Sequence, residues 1–386
     1  MPASHILQCH DVVDINFVKG ENCDLFDDQG RHFIDLESGC WSTCLGHSNP
    51  RIVKTIQNQI QNIAHLGTRF PNSDTEKAAC LVLEITGIKN GKCSFLSSGS
   101  EAVELGAQII KAVTGKNRLL TFSNSYLGSY GTTGKKTKGE WIIFDWTSLE
   151  NTDDPACLNG IPFDQLGGFV FEPGGSGIGF LNFPPKKLVE NIAVRIKEAG
   201  GLIAANEITT GMGRTGKWFG FQHYDIQPDI VSIGKGLGNG YPVSCVAMKQ
   251  EIAVTLEQLG FHYVQSHQND PLGCTIARDV IAMLRDEKWI EIGAEKGKFL
   301  LVGLQNIAEK YPLVVDARGR GMLLGIEFNR NDHFNIQMVA QELLKKGYLV
   351  GCQPAGNFIR FDPAFTIEKV KLVRFLSDLE EIVRLF

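Results

Sequence analysis

The sequence has no apolar run that approaches the roughly 20 residues a helix needs to cross a bilayer, so we expect no membrane-spanning helix. Neither sign of charge is in large excess: 38 lysines and arginines stand against 43 aspartates and glutamates, a formal net charge of −5. That balance gives no electrostatic reason to expect nucleic acid or an anionic membrane as a partner. Residues 1–6 lack the basic and apolar regions of a signal peptide, so we expect a cytoplasmic protein.

The ten cysteines show no zinc-finger arrangement. Cys40 and Cys44 are separated by three residues, and Cys9 precedes His10, but neither pair has a second pair of ligands at the spacing of a structural zinc site. A long chain without an export signal favours reduced thiols. We therefore predict free cysteines and no metal site.

Short apolar runs alternate with helical segments through the middle of the chain. Short strands separated by helices indicate a mostly parallel, buried sheet that is covered on both faces. Residues 243–248 form a further apolar run, which we predict to be an edge strand. The predicted strands of the main sheet are 94–96, 119–122, 168–171, 202–205 and 230–233.

Ser98, Gly99 and Ser100 lie between a predicted strand and a predicted helix, in the run LSSGSEA at 96–102. Glycine permits close backbone approach, and the free N–H groups at the start of a helix attract an anion. The segment therefore fits a phosphate site. The alternative is an ordinary helix N-cap, because serine is a common capping residue.

Lys235 lies between two glycines directly after the apolar run 230–233. An unpaired lysine at such a place is expensive to bury unless it is neutral or covalently used. An exposed lysine on a glycine-rich loop is the alternative. The run NEITTGMGRTG at 206–216 precedes it and begins with Asn206.

Segments 206–216 and 232–242 together resemble the core of the class III aminotransferases, which use pyridoxal phosphate (PLP). The resemblance covers nearly the whole chain, from a predicted hairpin at 23–36 to Arg360. It implies a fold-type I PLP-dependent transferase with a three-layer α/β/α large domain, a mostly parallel sheet and a small α+β domain. Residues 51–290 would form the large PLP-binding domain. Residues 1–50 would contribute to the small domain, which 291–386 would complete.

The resemblance also implies roles for individual residues. Lys235 would hold PLP as a Schiff base and move the Cα proton, and Asn206 would meet the pyridine nitrogen. Gly99, with Ser98 and Ser100 beside it, would bind the phosphate, and Tyr126 would stack on the ring.

Further cofactor contacts are implied along the rest of the chain. Glu172 belongs to a Glu-Pro element near the active site, and Ile208 would pack on the second face of the ring, with Thr209 next to it. The family counterpart of Ser266 reaches the phosphate of the neighbouring subunit. The resemblance therefore implies a homodimer with shared active sites.

The substrate side is implied by Arg360, whose counterpart binds a substrate carboxylate, and by Trp41, which lies in the family's N-terminal pocket segment. A surface salt bridge is the alternative for Arg360. Relatives with ornithine- or GABA-type specificity mask this arginine with a glutamate, where this chain has Gly177, so we expect Arg360 to be unmasked. Ser129 replaces a second arginine that some relatives carry. The substrates would be an amino donor and a keto acid, without close similarity to those of ornithine aminotransferase.

Asn206 is the main departure from the family, which has aspartate there. A carboxylate beside the ring nitrogen favours its protonated form, whereas a neutral amide provides no such charge. The chain is then a natural variant, a weakened or altered aminotransferase, or one in which Glu207 partly compensates. We predict a ping-pong aminotransferase. The alternatives are a racemase, an epimerase or other Cα chemistry, motivated also by Leu127 in place of a family histidine, and a non-catalytic PLP-binding scaffold.

Overall fold

The computed structural model describes residues 5–174, 181–330 and 334–386; Gly177 lies outside them. Near the N-terminus, β1 (Phe17–Glu21) and β2 (Asp24–Asp27) pair antiparallel, and β3 (His32–Asp35) pairs antiparallel with β2. After β3, a single turn, α1 (Ser38–Trp41), is left-handed, with φ values of 49, 53, 57 and 68°. Residues with a side chain avoid this conformation at a cost of about 1–2 kcal/mol each, so other contacts must hold it in place.

A seven-stranded sheet forms the centre of the molecule, with the order β4-β10-β9-β8-β7-β5-β6. All neighbouring strands are parallel except β10, which is antiparallel to both β4 and β9. The bounds are β4 (Lys92–Leu96), β5 (Arg118–Phe122), β6 (Trp141–Phe144), β7 (Leu166–Phe171), β8 (Leu202–Glu207), β9 (Ile230–Ile233) and β10 (Ser244–Met248).

The prediction that 243–248 form an edge strand is wrong. β10 lies inside the sheet, and all five of its side chains are buried. It is internal because β4, from much earlier in the chain, pairs with the edge of β10 that faces away from β9. The local sequence of 243–248 does not predict that pairing.

Side chains of the sheet alternate between two hydrophobic clusters, one on each face. In β7, Phe169 and Phe171 belong to one cluster and Val170 to the other; in β8, Ala205 and Ala204 divide in the same way. Helices cover both clusters, which gives the three-layer α/β/α architecture that was predicted. None of the helices within the described ranges has the length and apolar character to cross a membrane.

Side-chain caps mark the start of several of the remaining helices. Asn49 caps one of them by accepting from the N–H groups of Arg51 and Ile52, and a capping box of Ser98 and Glu101 opens another. Their bounds are α2 (Pro50–Asn62), α3 (Ser73–Thr86), α4 (Gly99–Thr114), α5 (Gly131–Lys135), α6 (Lys186–Glu198), α7 (Gln250–Gln258), α8 (Pro271–Asp286), α9 (Trp289–Lys310), α10 (Ile336–Lys345) and α11 (Lys369–Val383).

The two ends of the chain share a sheet. A short strand near the C-terminus, β13, pairs parallel with β3, so that one four-stranded sheet has the order β1-β2-β3-β13. A second four-stranded sheet, in the order β11-β12-β15-β14, is antiparallel. These late strands are β11 (Val314–Arg320), β12 (Leu323–Phe328), β13 (Tyr348–Leu349), β14 (Gly351–Gln353) and β15 (Phe358–Phe361).

Candidate active site

Lys235 lies just beyond the carboxyl end of β9, at the edge of the parallel sheet where ligands bind in folds of this type. Its backbone is left-handed, with φ of 44°. The Nζ atom donates a hydrogen bond to Oγ1 of Thr209 at 2.7 Å and lies 4.1 Å from the centre of the Trp41 ring. The amine is thus held between a hydroxyl group and an aromatic face.

Burial lowers the pKa of Lys235 to about 8. Glu172 opposes this shift because its negative charge favours the ammonium form, whereas Arg360 adds to it. A lysine with a pKa near neutrality exists in part as the free amine, which is the nucleophilic form.

Asn206 is at the carboxyl end of β8 and is buried, with 4% of its surface exposed. Its Nδ2 donates to the carbonyl oxygen of Tyr126 at 2.8 Å, and its Oδ1 accepts from the N–H of Ile208 at 3.2 Å. Because the first partner can only accept and the second can only donate, the orientation of the amide is defined.

Tyr126 is held by its backbone on both sides. Its carbonyl accepts from Asn206, and its N–H donates to Oε2 of the buried Glu172 at 2.8 Å. The ring itself is 42% exposed, and its hydroxyl is 2.7 Å from Oγ of Ser129. The next residue, Leu127, is fully buried in the core. An accessible, well-positioned aromatic face is what a stacked cofactor requires.

The start of α4 offers hydrogen-bond donors. Glu101 accepts from the N–H groups of Ser97 and Ser98, whereas the N–H groups of Gly99 and Ser100 have no acceptor among the described residues. Oγ of Ser100 accepts from the N–H of Ser129. Free N–H groups at a helix N-terminus fit an anionic group such as a phosphate.

Gly99 is needed at this position because of its close contact with Ile208. A Cβ at Gly99 would lie 2.7 Å from Cγ2 of Ile208, and one at Gly234 would lie 3.1 Å from Cδ1 of the same side chain. Ile208 therefore joins the start of α4 to the glycine before Lys235. The residues implied for the phosphate, the ring and the lysine come together in one place.

Trp41 projects from the left-handed turn α1, which the carboxylate of Asp35 holds in place. Asp35 accepts from the N–H groups of Glu37, Ser38 and Gly39 at 2.7, 3.0 and 3.2 Å. Nε2 of His47 also lies 2.7 Å from Asp35 Oδ2. Four contacts on one buried carboxylate provide the external support that this turn needs.

Arg360, in β15, also lies against the Trp41 ring. Its Cζ lies 3.9 Å from the ring centre, and its Nη2 donates to Oε1 of Glu37 at 3.2 Å. Asp362 is 3.8 Å from Nε, and burial raises the pKa of that carboxyl to about 7. Nε and Nη1 have no hydrogen-bond acceptor within the described parts of the chain.

The expectation that Arg360 is unmasked is therefore wrong. Glu37 pairs with it, from a segment unrelated to the position of Gly177, which lies outside the described residues. Sequence reasoning missed Glu37 because the two partners are 323 positions apart. The only feature of the sequence that could have indicated Glu37 is its place in the same segment as Trp41.

Glu207 does not take over the role of the missing aspartate. Its carboxylate accepts from Oγ1 of Thr210 and from the N–H groups of Gly220 and Phe221, at 2.7–2.8 Å. Burial raises the pKa of Glu207 to about 7. These contacts direct the Glu207 carboxylate to the turn at 219–221 and away from Asn206. The suggestion that Glu207 partly compensates for the aspartate that Asn206 replaces is therefore wrong.

Arg214, like Glu37, lies near the site but was given no role in the sequence analysis. Its buried guanidinium donates to the carbonyl oxygens of Asp362, Pro363 and Trp41, at 3.0, 2.7 and 3.5 Å. It connects the segment that begins at Asn206 with both segments of the substrate side. Its position within the glycine-rich run 211–216 was the available signal.

Ser266 is exposed, and no hydrogen bond joins it to the other site residues within the described chain. It lies between Gln265 and His267 in a segment without regular structure. Its implied contact with a neighbouring subunit stays a prediction.

The fold is shared with a solved acetylornithine aminotransferase from Elizabethkingia anophelis, with a TM-score of 0.87, 24% identity and coverage of 99% of this chain and 97% of the other. The two chains therefore have the same fold, that of an aminotransferase. Residues 7–139 and 161–383 match the family model described as aminotransferase class-III, and the chain belongs to that family.

Curated relatives agree with this assignment. An acetylornithine aminotransferase from Methanopyrus kandleri is 29% identical over 379 residues, covering 96% of this chain and 94% of its own. A leucine/methionine racemase from Thermococcus litoralis is 28% identical over 410 residues, covering 94% and 91%. The chain is a class-III aminotransferase, and this family depends on PLP.

Proposed function

We propose that this enzyme exchanges an amino group between an amino acid and a keto acid in a ping-pong cycle, with PLP attached to Lys235. One observation carries the proposal: Nζ of Lys235 and Cζ of Arg360 lie 4.1 and 3.9 Å from the centre of the same Trp41 ring. An amine that can hold an aldehyde and a cation that can bind a carboxylate therefore share one aromatic wall.

Each part of the cofactor has a matching group in the chain. The phosphate would accept from the N–H groups of Gly99 and Ser100, and Ser98 caps the same helix turn. Tyr126 would cover one face of the ring and Ile208 the other. When bound, PLP withdraws the electron pair that is left after the Cα–H bond breaks.

The proton from Cα would be taken by Nζ of Lys235, which the hydroxyl of Thr209 orients. The lowered pKa of this amine places it where a general base works at neutral pH. Asn206 would contact the ring nitrogen without giving it a charge, so the chain provides less electrostatic stabilisation there than a carboxylate does.

The substrate class follows from Arg360. We propose an amino acid with a free carboxylate that pairs with this guanidinium. Glu37 competes for the same guanidinium, so a substrate carboxylate must displace it or bind beside it. The relative from Methanopyrus kandleri is named for acetylornithine, which has such a carboxylate.

The proposed functional unit is a cytoplasmic homodimer in which Ser266 reaches the partner's phosphate site. The exposure of Ser266 and its lack of a contact within its own site support this proposal. Sedimentation would give the oligomeric state. Mixing inactive Lys235→Ala and weakly PLP-binding Ser266→Ala subunits tests the sharing, since hybrid dimers would contain one site that carries both mutations and one that carries neither.

Absorption spectroscopy tests the central proposal. The purified holoenzyme is mixed with single amino acids and amines without a keto acid. Loss of the visible band of bound PLP, with an equal amount of keto acid released, is expected for an effective donor. Failure across all donors, with PLP still bound, would sink the aminotransferase proposal.

A racemase is the second candidate. Asn206 and the 28% identity to the leucine/methionine racemase favour it. A racemase would place solvent deuterium at Cα of the recovered amino acid without releasing keto acid. Amino acids that keep their Cα proton in deuterated water would count against it.

A further inference from the structure

A second group of chemically reactive side chains lies outside the lysine site. His65, His267 and Asp270 come together on the surface, and their possible ligand atoms all lie within 4.8 Å of one another. Nδ1 of His65 is 2.6 Å from Oδ1 of Asp270, and Nδ1 of His267 is 2.5 Å from Oδ2. The two imidazole ring centres are 4.8 Å apart.

Asp270 is used in an unusual way. It occupies the N-cap position of α8, where an aspartate commonly accepts from the first free N–H groups of the helix. Here the side chain makes no capping bond. Both carboxylate oxygens instead face an imidazole nitrogen, so the side chain is directed to the two histidines.

The carboxylate has a rigid support. The preceding residue, Asn269, pairs with Phe95 through two hydrogen bonds of 3.0 and 2.8 Å, and its carbonyl accepts from Thr75. The side chain of Asp270 is 13% exposed, whereas those of His65 and His267 are 49% and 60% exposed. A partly buried carboxylate on a fixed backbone is thus joined to two exposed imidazoles.

We propose that this cluster binds one divalent zinc ion through the three side chains, with the remaining position open to water. Zinc prefers imidazole nitrogen with carboxylate oxygen, whereas magnesium and calcium prefer oxygen ligands alone. In a tetrahedral zinc site the ligand atoms are about 3.4 Å apart. The two N–O distances of 2.6 and 2.5 Å would have to lengthen to that value, which movement of the two exposed imidazoles allows.

Zinc would link three segments that are far apart in sequence: the end of α2, the segment before α8, and the start of α8 itself. Binding to the folded form alone raises stability by mass action. None of the three residues has a hydrogen bond to a residue of the lysine site within the described chain, so zinc binding can be measured separately from transamination. His267 directly follows Ser266, which is proposed to reach the partner's phosphate site.

The test is a zinc titration of the holoenzyme, by calorimetry and by metal analysis after dialysis. One equivalent per chain with a Kd of about 1 µM or tighter is expected, with a rise in Tm. His65→Ala and His267→Ala should each weaken binding more than about 100-fold, because loss of a ligand exceeds the effect of losing an outer contact. Magnesium should give neither a titration nor a rise in Tm.

Two controls separate this site from other zinc ligands. His262→Ala removes an exposed histidine of the same segment and should leave binding unchanged. Replacing the exposed Cys9, Cys40 and Cys80 with serine should also leave it unchanged. Zinc binding that survives both histidine variants, or that disappears with the thiols, would overturn the proposal. So would the absence of binding at about 1 mM zinc.

Discussion

The side-chain amide of Asn206 donates to the carbonyl oxygen of Tyr126 at 2.8 Å, so the residue that replaces the family's aspartate is built into the local backbone. An aspartate in the same position would direct a carboxylate oxygen at that carbonyl, and two acceptors cannot share a hydrogen bond. The asparagine therefore has a structural partner that a carboxylate would lose.

Asn206→Asp is expected to lower the free energy of unfolding of the cofactor-free protein by about 1–3 kcal/mol, the cost of leaving a buried polar group unsatisfied. Urea denaturation at a pH where the carboxylate is ionised measures it. Asn58→Asp, on the exposed face of α2, is the matched control and should change stability by less than about 0.5 kcal/mol. Unchanged stability of Asn206→Asp would contradict the importance of the Tyr126 contact.

The rate at which cofactor-free protein takes up PLP is expected to rise with pH and to reach half its maximum near pH 8. Burial lowers the pKa of Lys235 to about 8, and only the neutral amine above that pH attacks the aldehyde. Stopped-flow absorbance across about pH 6 to 10 measures the profile. A midpoint near 10.5, the ordinary lysine value, would show that the amine is not perturbed.

Glu172→Gln provides the matched test of that profile. Glu172 favours the ammonium form of Lys235, so removing its charge should move the midpoint to lower pH. The glutamine can still accept from the N–H of Tyr126, which keeps the ring support in place. A shift to higher pH would mean that the assigned electrostatics are wrong.

Arg360→Lys is expected to raise KM for amino acid substrates about ten- to hundredfold. The guanidinium offers two donors to a carboxylate, and loss of such charge-assisted bonds costs about 1.5–3 kcal/mol. Steady-state kinetics measure the change. An amine donor without a carboxylate is the control, and its KM should not move; an equal change for both donors would contradict a role in carboxylate binding.

Glu37→Gln should have the opposite effect on KM. Its carboxylate pairs with Arg360 at 3.2 Å, and removing the negative charge removes a competitor for the substrate carboxylate. KM for an amino acid should fall while KM for the simple amine stays unchanged. A higher KM for the amino acid would indicate that Glu37 positions the arginine and does not compete for it.

Asp35→Asn should destabilise the protein by about 1–3 kcal/mol and raise KM for substrate, because the turn that carries Trp41 loses part of its support. The asparagine NH₂ cannot accept from the N–H of Gly39, which Oδ2 of Asp35 accepts at 3.2 Å. Denaturation and steady-state kinetics give the two quantities. Asp28→Asn, exposed in the same hairpin region, is the control. Wild-type behaviour of Asp35→Asn would show that the turn is stable without this carboxylate.

Local patterns identified the segments that the fold brings together around Lys235. Lys235, Asn206 and the run Ser98–Ser100 each belong to a contiguous motif at the carboxyl end of a strand of the central sheet, β9, β8 and β4 respectively. Their roles toward a cofactor stay predictions. The alternation of apolar runs likewise predicted the three-layer fold.

Contacts between distant segments could not be predicted. The pairing of Glu37 with Arg360 and the meeting of His65 with Asp270 depend on how whole elements pack, and no periodicity encodes them. The same reason explains why β10 was wrongly predicted to be an edge strand, since its position inside the sheet depends on its pairing with β4. The cysteine spacing predicted no metal site, and it carries no information on His65, His267 and Asp270, which meet only in the folded chain.

The turn that carries Trp41 is completed by the last strand of the protein. Oγ of Ser38 donates to the carbonyl of Asp362, 324 positions later, and Arg360 approaches the Trp41 ring from the same strand. The wall around Trp41 is therefore built from both ends of the chain, and removal of the C-terminal segment would leave it incomplete even if the central sheet were intact.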